Sequence, residues 1–216
     1  DFVRAIKAKI ITNISQLDYS SDIFIFCLKD EVLPDILSQT SFTNQLLLHT
    51  AGSIDLNIFK GKSENYGVFY PLQTFSKSRE IEFKSIPICI EGSNSEAEKR
   101  IRNLAESISN KVVNIDSIQR KYIHLAAVFA SNYSNAMYTI AQEILKEHQM
   151  DFEIIRPLIK ETAEKVMELQ PDKAQTGPAI RNDEETMKNH LALLNDEEKK
   201  TLYRLIAVYI KGKDIR

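Results

Sequence analysis

Short apolar runs separated by polar turns fill the first half of the chain, and a three-and-four spacing takes over in the second. Phe2–Ala8 reads as the end of a helix, and Lys9-Ile10-Ile11-Thr12 predicts a short strand. Asp22 to Leu28 is a nearly unbroken apolar run, which predicts a strand covered on both faces within a parallel sheet. Lys29-Asp30-Glu31 leads into a helix reaching about Gln39, with Val32, Leu33, Ile36 and Leu37 on one side. Gln45–His49 predicts the next strand, closed by Thr50-Ala51-Gly52-Ser53, where glycine permits a sharp turn. Strand, helix, strand in that order implies a crossover and parallel pairing.

Tyr66–Tyr70, stopped by Pro71, and Ile86–Glu91 predict two further strands across a polar surface loop, Thr74–Lys84. Ser93 to Glu96 has the hydroxyl-to-glutamate spacing of a capping box. Ala97, Ile101, Leu104, Ala105 and Ile108 then mark one buried face of a helix, and Val112–Ile115 returns as a last strand. After Asp116 the period changes. Ile118, Tyr122, Leu125, Phe129, Tyr133, Ala136, Ile140 and Ile144 fall three or four apart. They imply a helix of about 30 residues, or about 45 Å, suited to the middle of a bundle or a subunit interface. Helices also read over Phe152–Leu169, Glu184–Leu194 and Asp196–Ile210, broken at Pro171 and Thr176-Gly177-Pro178. The expected organisation is therefore α/β over residues 1–115 and all-α over 116–216.

Composition narrows the classes. The 28 Lys and Arg against 30 Asp and Glu give a net charge of −2, and no basic run marks a nucleic-acid surface. The apolar stretches are strand-sized, far short of the roughly 20 residues of a membrane helix. The two cysteines, Cys27 and Cys89, sit in strand-like runs and read as small buried hydrophobes in a reducing, cytoplasmic setting. The chain opens at Asp1 inside a predicted helix, so residues are expected upstream of it.

In an open parallel sheet, ligands collect outside the carboxyl ends of the strands. Leu28-Lys29-Asp30, His49-Thr50-Ala51-Gly52-Ser53 and Tyr70-Pro71-Leu72-Gln73-Thr74-Phe75 are predicted to meet there. From these, Leu28, Lys29, His49, Thr50, Gly52, Ser53, Pro71, Gln73 and Thr74 are candidates for holding a ribose, phosphate or carboxamide; the alternative is ordinary turn chemistry. No Gly-x-Gly-x-x-Gly turn occurs. On the long helix, Lys121, His124, Val128, Ser131, Asn132 and Asn135 lie on overlapping faces. Lys, His and Asn so arranged can polarise a carbonyl and move a proton; equally, they can be a solvated lysine, a satisfied core histidine and an interhelix bond. Between two helices, Thr176, Gly177 and Arg181 could grip a substrate carboxylate, or Asp183 could cap the next helix with Arg181 beside it. The four histidines are scattered, so no metal site is predicted, and no Gly-x-Ser-x-Gly elbow is present.

Three segments together resemble one family. They are Gly67–Ser76 (GVFYPLQTFS), Gln119–Asn132 (QRKYIHLAAVFASN), and Ala174–Asp183 (AQTGPAIRND) with His190-Leu191. The family is the Rossmann-like proteins carrying a C-terminal domain of unknown function 2520, distant relatives of pyrroline-5-carboxylate reductase and of 6-phosphogluconate and hydroxyacid dehydrogenases. The resemblance spans nearly the whole chain. It implies the C-terminal part of a Rossmann-like parallel sheet, followed by an all-helical domain like the C-terminal one of 6-phosphogluconate dehydrogenase. It also implies a glycine-rich turn and a first strand-helix-strand unit before Asp1. NADP or NAD would be the cofactor, a small molecule the substrate, and the helical domain the seat of a homodimer. Related dehydrogenases place a catalytic lysine early on the first long helix. By that resemblance His124 becomes the proton donor or acceptor, Asn132 orients a substrate oxygen, and Lys121 is the rival acid. The expected activity is hydride transfer to or from a small carbonyl, hydroxy or imino compound in a cleft between the domains. The competing expectation is a catalytically inactive nucleotide-binding or helical, dimer-forming regulatory protein.

Overall fold

The computed structural model describes residues 8–213, which leaves all but Ala8 of the helix expected over 2–8 outside it. The chain divides into two compact units, residues 1–133 and 134–216. The first carries a five-stranded sheet in the order β1 (Ile23–Phe26), β2 (Leu46–His49), β3 (Tyr66–Pro71), β4 (Ile88–Gly92), β5 (Val112–Asn114). Helix α1 (Leu33–Ser38) joins β1 to β2, and α2 (Ser95–Ile108) joins β4 to β5. The first three strands are mutually parallel, as a crossover demands, with Ile23 opposite Leu46 and Leu47 opposite Tyr66. β4 departs from the expected parallel sheet. It runs antiparallel to β3, with Gly67 opposite Gly92 and Pro71 opposite Ile88, while β5 follows β4 in parallel. The connection explains this: a polar loop with one 3-10 turn (Phe83–Ser85), and no crossover helix, returns the chain beside β3. The sheet is parallel-dominated but mixed.

β2 is paired on both edges and covered on both faces. Leu46 and Leu48 pack with Phe69, Ile88, Ile90 and the Ala97, Ile101 and Ala105 stripe of α2. Leu47 points the other way, to Leu33, Leu37, Phe42 and Phe59. β1 was expected to be as well covered, but it ends the described sheet and Ile25 is 45% exposed. Cys27, just beyond it, is exposed too, whereas Cys89 in β4 is buried as expected. Lys9–Thr12 forms no strand. Ile10 buries no face there, and the Asn13 side chain accepts the Ser15 N–H at 2.9 Å to start a 3-10 turn over Ile14–Gln16. The cap of α2 is Asn94, which accepts the Ala97 N–H at 2.9 Å, rather than Ser93. The Ser93 hydroxyl instead takes the Tyr66 N–H (3.1 Å) and donates to the Glu64 carbonyl (3.0 Å), pinning the start of β3.

From Ser117 to Glu147 the chain is helical throughout, in three pieces: α3 (Ser117–Ala127), a π-helical stretch (Val128–Tyr133), and α4 (Ser134–Glu147). The second unit is all-helical among its described residues, adding α5 (Arg156–Glu168), α6 (Pro171–Ala174), α7 (Glu184–Leu193) and α8 (Glu197–Lys213) to α4. Pro171 opens the short α6, where its missing N–H costs nothing. No helix among the described residues is long and apolar enough to cross a membrane.

Candidate functional site

α3 starts at a capping box. Asp116 accepts the Gln119 N–H at 2.7 Å, and the Gln119 side chain accepts the Asp116 N–H at 3.0 Å. One turn in, Arg120 is completely buried. Its guanidinium meets Glu91 at 2.6 Å, Ser117 Oγ at 3.2 Å and the Ile54 carbonyl. Glu91 also receives the Ser117 N–H (2.9 Å) and Oγ–H (2.7 Å), and Ser117 Oγ accepts the Leu56 N–H (3.1 Å). The first turn of α3 is thereby fastened to the end of β4 and to the loop after β2.

That fastening carries His124 to the ends of β2 and β3. The Tyr70 hydroxyl lies 3.1 Å from His124 Nδ1, the two rings edge-on with centroids 6.2 Å apart. Burial lifts the Tyr70 hydroxyl above its usual pKa range and keeps it a phenol. Gly52 lies against the same ring: a Cβ there would stand 2.5 Å from Nδ1, so only glycine lets the backbone come so close.

The π-helical stretch brings Asn132 toward the same face. In a uniform α-helix, eight residues at roughly 100° each leave His124 and Asn132 about 80° apart around the axis. A π turn holds more residues per hydrogen-bonded ring, turns less per residue, and closes that gap. His124, Ser131 and Asn132 line one cavity of about 670 Å³ with Tyr70, Gln73 and Thr74, all within the first unit.

The other expected site residues are placed as follows. Lys121 is exposed and lies outside that lining. Its charge falls instead near Asp55, whose carboxyl is held low first by the Asn57 N–H and also by Lys121 and Arg120. Pro71 is the last residue of β3. Leu28 and Lys29 are exposed on the loop after β1, and Ser53 donates to Asp30 there, while the Thr50 N–H reaches the Phe26 carbonyl at 3.3 Å. His49 faces inward. It is 0% exposed, stands against Phe59, and accepts the Ala51 N–H at Nδ1 (3.2 Å). Its pKa falls to about 4, chiefly through burial and secondarily through Arg120, so it is a neutral structural ring. Thr176, Gly177 and Arg181 belong to the second unit, on the segment before α7, with Gly177 at φ +108. Asp183 caps α7 by accepting the Thr186 N–H at 3.1 Å. Among the described residues no group of three or more His, Cys, Asp or Glu could hold a metal ion.

Glu91, Ser117 and Arg120 were not singled out by the sequence pattern, and Tyr70 entered it only as the first residue of a segment expected at the strand ends. A trace of the signal is there: Ser117, Arg120 and His124 step by three and four along α3, and Glu91 is a carboxylate closing an apolar strand.

Comparison with known proteins agrees with this picture. The model of a family described as "Domain of unknown function (DUF2520)" matches residues 86–210. No curated protein matches the chain. Among solved structures, the "putative NADP oxidoreductase BF3122 from Bacteroides fragilis" is 42% identical, with a TM-score of 0.89 over 97% of this chain and 83% of that one. Protein TM1727 from Thermotoga maritima is 22% identical, with a TM-score of 0.71 over 87% and 79% of the two chains. A reductive aminase from Aspergillus terreus, solved with NADPH and ethyl-5-oxohexanoate, shares the fold at 14% identity, with a TM-score of 0.64 over 89% of this chain and 72% of that one.

Proposed function

Since the chain belongs to the DUF2520 family, with a Rossmann-like NAD(P)-binding oxidoreductase fold, we propose that it is an NAD(P)-dependent oxidoreductase acting on a small carbonyl, hydroxy or imino compound. The observation that carries this is the cavity in which His124 and Asn132 of the helix meet Gln73 and Thr74 beyond β3. The donor set suits a nicotinamide and its partner: an amide and a hydroxyl for the carboxamide or ribose, and an imidazole for the reacting oxygen or nitrogen. Bound there, the nicotinamide supplies or accepts the hydride. The protein residues do the rest. His124 exchanges the proton with the substrate heteroatom, and Asn132 orients that atom by hydrogen bonding. Gly52, Ser53, Thr50, Lys29 and Leu28, beyond β1 and β2, extend the same edge toward the cofactor, and Pro71 turns the chain into it. Thr176, Gly177 and Arg181 remain the candidates for a substrate carboxylate. NADP is favoured by the Bacteroides fragilis protein's description and by the NADPH in the Aspergillus terreus enzyme, whose oxo-ester ligand supports a carbonyl or imine substrate.

The same reading includes a homodimer built on the helical residues and a cytoplasmic setting. Exposed apolar side chains support the first: Ile154, Leu158, Met167, Leu193, Leu205 and Val208 are all between 63% and 85% exposed. Free Cys27 and Cys89 support the second.

The test uses the full-length protein. Calorimetry with NADPH and NADH, followed by NADPH oxidation with small ketones and cyclic imines, should show binding and turnover. His124→Ala should lower turnover by about 10²–10⁴-fold while leaving coenzyme binding intact. If neither coenzyme binds, the oxidoreductase reading falls.

A further inference from the structure

We infer that Tyr70 is the positioning residue for proton exchange at His124: its hydroxyl holds Nδ1, and so reserves Nε2 for the substrate. This rests on the proposed role of His124 as the proton-exchanging group.

Tyr70 sits in β3 with Cys89 as its register partner, so its position is set by the sheet rather than by a loop. From there its hydroxyl reaches Nδ1 at 3.1 Å, and both residues line the same cavity. On the Nδ1 side the ring also meets the Gly52 backbone, where any Cβ would fall 2.5 Å from that nitrogen. With Nδ1 between a phenol and a backbone, Nε2 is the nitrogen left to a ligand.

The identity of the partner matters. A hydroxyl both donates and accepts, whereas a carboxylate only accepts and would hold the ring charged. When His124 is an imidazolium, Nδ1–H donates to the Tyr70 oxygen. When Nδ1 is bare, the Tyr70 O–H turns to donate to it. One partner therefore keeps the ring in one orientation in every protonation state. Burial of Tyr70 supports this, because a hydroxyl whose pKa is raised stays a phenol and does not compete as the acid.

In the reductive direction the balance is as follows. A reduced nicotinamide bound there would supply hydride to the carbonyl or imine carbon, whose π pair would pass to oxygen or nitrogen. That atom takes the proton from Nε2 of the imidazolium. The ring is left neutral with Nδ1–H still on Tyr70, and solvent returns a proton to Nε2.

Tyr70→Phe removes one oxygen and keeps the ring. The first measurement is a long-range ¹H–¹⁵N spectrum of the full-length protein, with His124 assigned through His124→Asn. In the native protein Nδ1 should carry the shift of a hydrogen-bonded nitrogen, and Tyr70→Phe should move it; an unmoved resonance overturns the inference. The second is turnover: Tyr70→Phe should lower kcat about tenfold or more with KM and NADPH affinity nearly unchanged. Gly52→Ala, whose Cβ would fall 2.5 Å from Nδ1, should also move that resonance and lower kcat. Native kcat in Tyr70→Phe overturns the positioning role, whereas native kcat in His124→Ala overturns instead the reading it rests on. The spectrum needs no turnover, so the two failures are told apart.

Discussion

The sheet unit and the helical unit treat their apolar residues in opposite ways. In residues 1–133 the strands and α2 close over a core in which Leu46, Leu47, Leu48, Ile88, Ile90 and Ile101 are all 0% exposed. In residues 134–216 the buried apolar side chains among those described are Ala179 and Met187, each at 8%, while Met167 is 85% exposed. Composition does not separate the two regions; geometry does. A strand paired on both edges presents two faces that α1, α2 and their loops can cover locally, so the sheet unit is sealed by its own chain. An amphipathic helix buries only a stripe, and a stripe left outside asks for another surface. Even along α3 and the π-helical stretch after it, the apolar series Ile118, Tyr122, Leu125, Phe129 and Tyr133 is 51–70% exposed, on the helical run that presents His124 to the cavity. This helical run thus serves the cavity on one side and an open apolar surface on another.

If the sheet unit is self-contained, its stability should answer to single internal changes regardless of protein concentration. The largest effect is expected at the Arg120–Glu91 pair, with side chains 0% and 16% exposed. Glu91→Gln leaves a buried guanidinium without its counter-charge, and should cost roughly 3 kcal/mol in urea denaturation, at the low end for a broken buried pair because Glu91 keeps some solvent. The double change Glu91→Gln with Arg120→Met should recover much of that loss. A cost within the scatter of surface substitutions would mean that α3 is not held by this pair.

Next in size is the acid response of His49. Its pKa is near 4 in the fold against about 6.5 when exposed. Arg120 adds to the lowering, and Asp30 and Asp55 oppose it. Because the unfolded chain takes up the proton first, the contribution is complete above pH 6.5 and is lost as pH falls toward about 4. The loss is on the order of 3 kcal/mol. Thermal melts between pH 7 and 4 should show this slope, and His49→Leu should flatten it. The carboxylates with lowered pKa, such as Asp55 and Asp183, respond below that window, so the two sources separate.

Much of this was legible in the residues, and unevenly so. The strand over Leu46–His49, buried at every position, and the stripe of α2 came through because local pairing and packing enforce them. The reversal of β4 did not, since an apolar run carries no direction and only the missing crossover helix betrays it. Ser93 has the spacing of a cap, yet Asn94 takes the role once Ser93 is drawn to Tyr66 and Glu64. His124, Asn132, Gln73 and Thr74 could be named as candidates from helix spacing, strand ends and family resemblance. Their convergence depends on a π-helical stretch that no residue pattern announced. Arg120 and the role of Tyr70 escaped because each depends on a partner distant in sequence, Glu91 and His124 respectively.

The smallest effect on the chain itself, and the sharpest on the comparison, is expected at the open helical surface. Leu205 and Val208 lie one turn apart on α8, 63% and 68% exposed. Leu205→Glu with Val208→Glu keeps good helix formers and strips no buried contact. Measured on the dissociated chain at high dilution, stability should stay within about 0.5 kcal/mol per site of the native protein's. Sedimentation at rising concentration should tell a different story. Two carboxylates set into a matched apolar interface should weaken self-association tenfold or more, about 1.4 kcal/mol, and the concentration dependence of the melting temperature should fall with it. Glu91→Gln should do the reverse, lowering stability at every concentration without shifting the association constant. Should the α8 substitutions leave sedimentation untouched, this face is not where a second copy docks, and the contrast between the units would then call for a different covering partner.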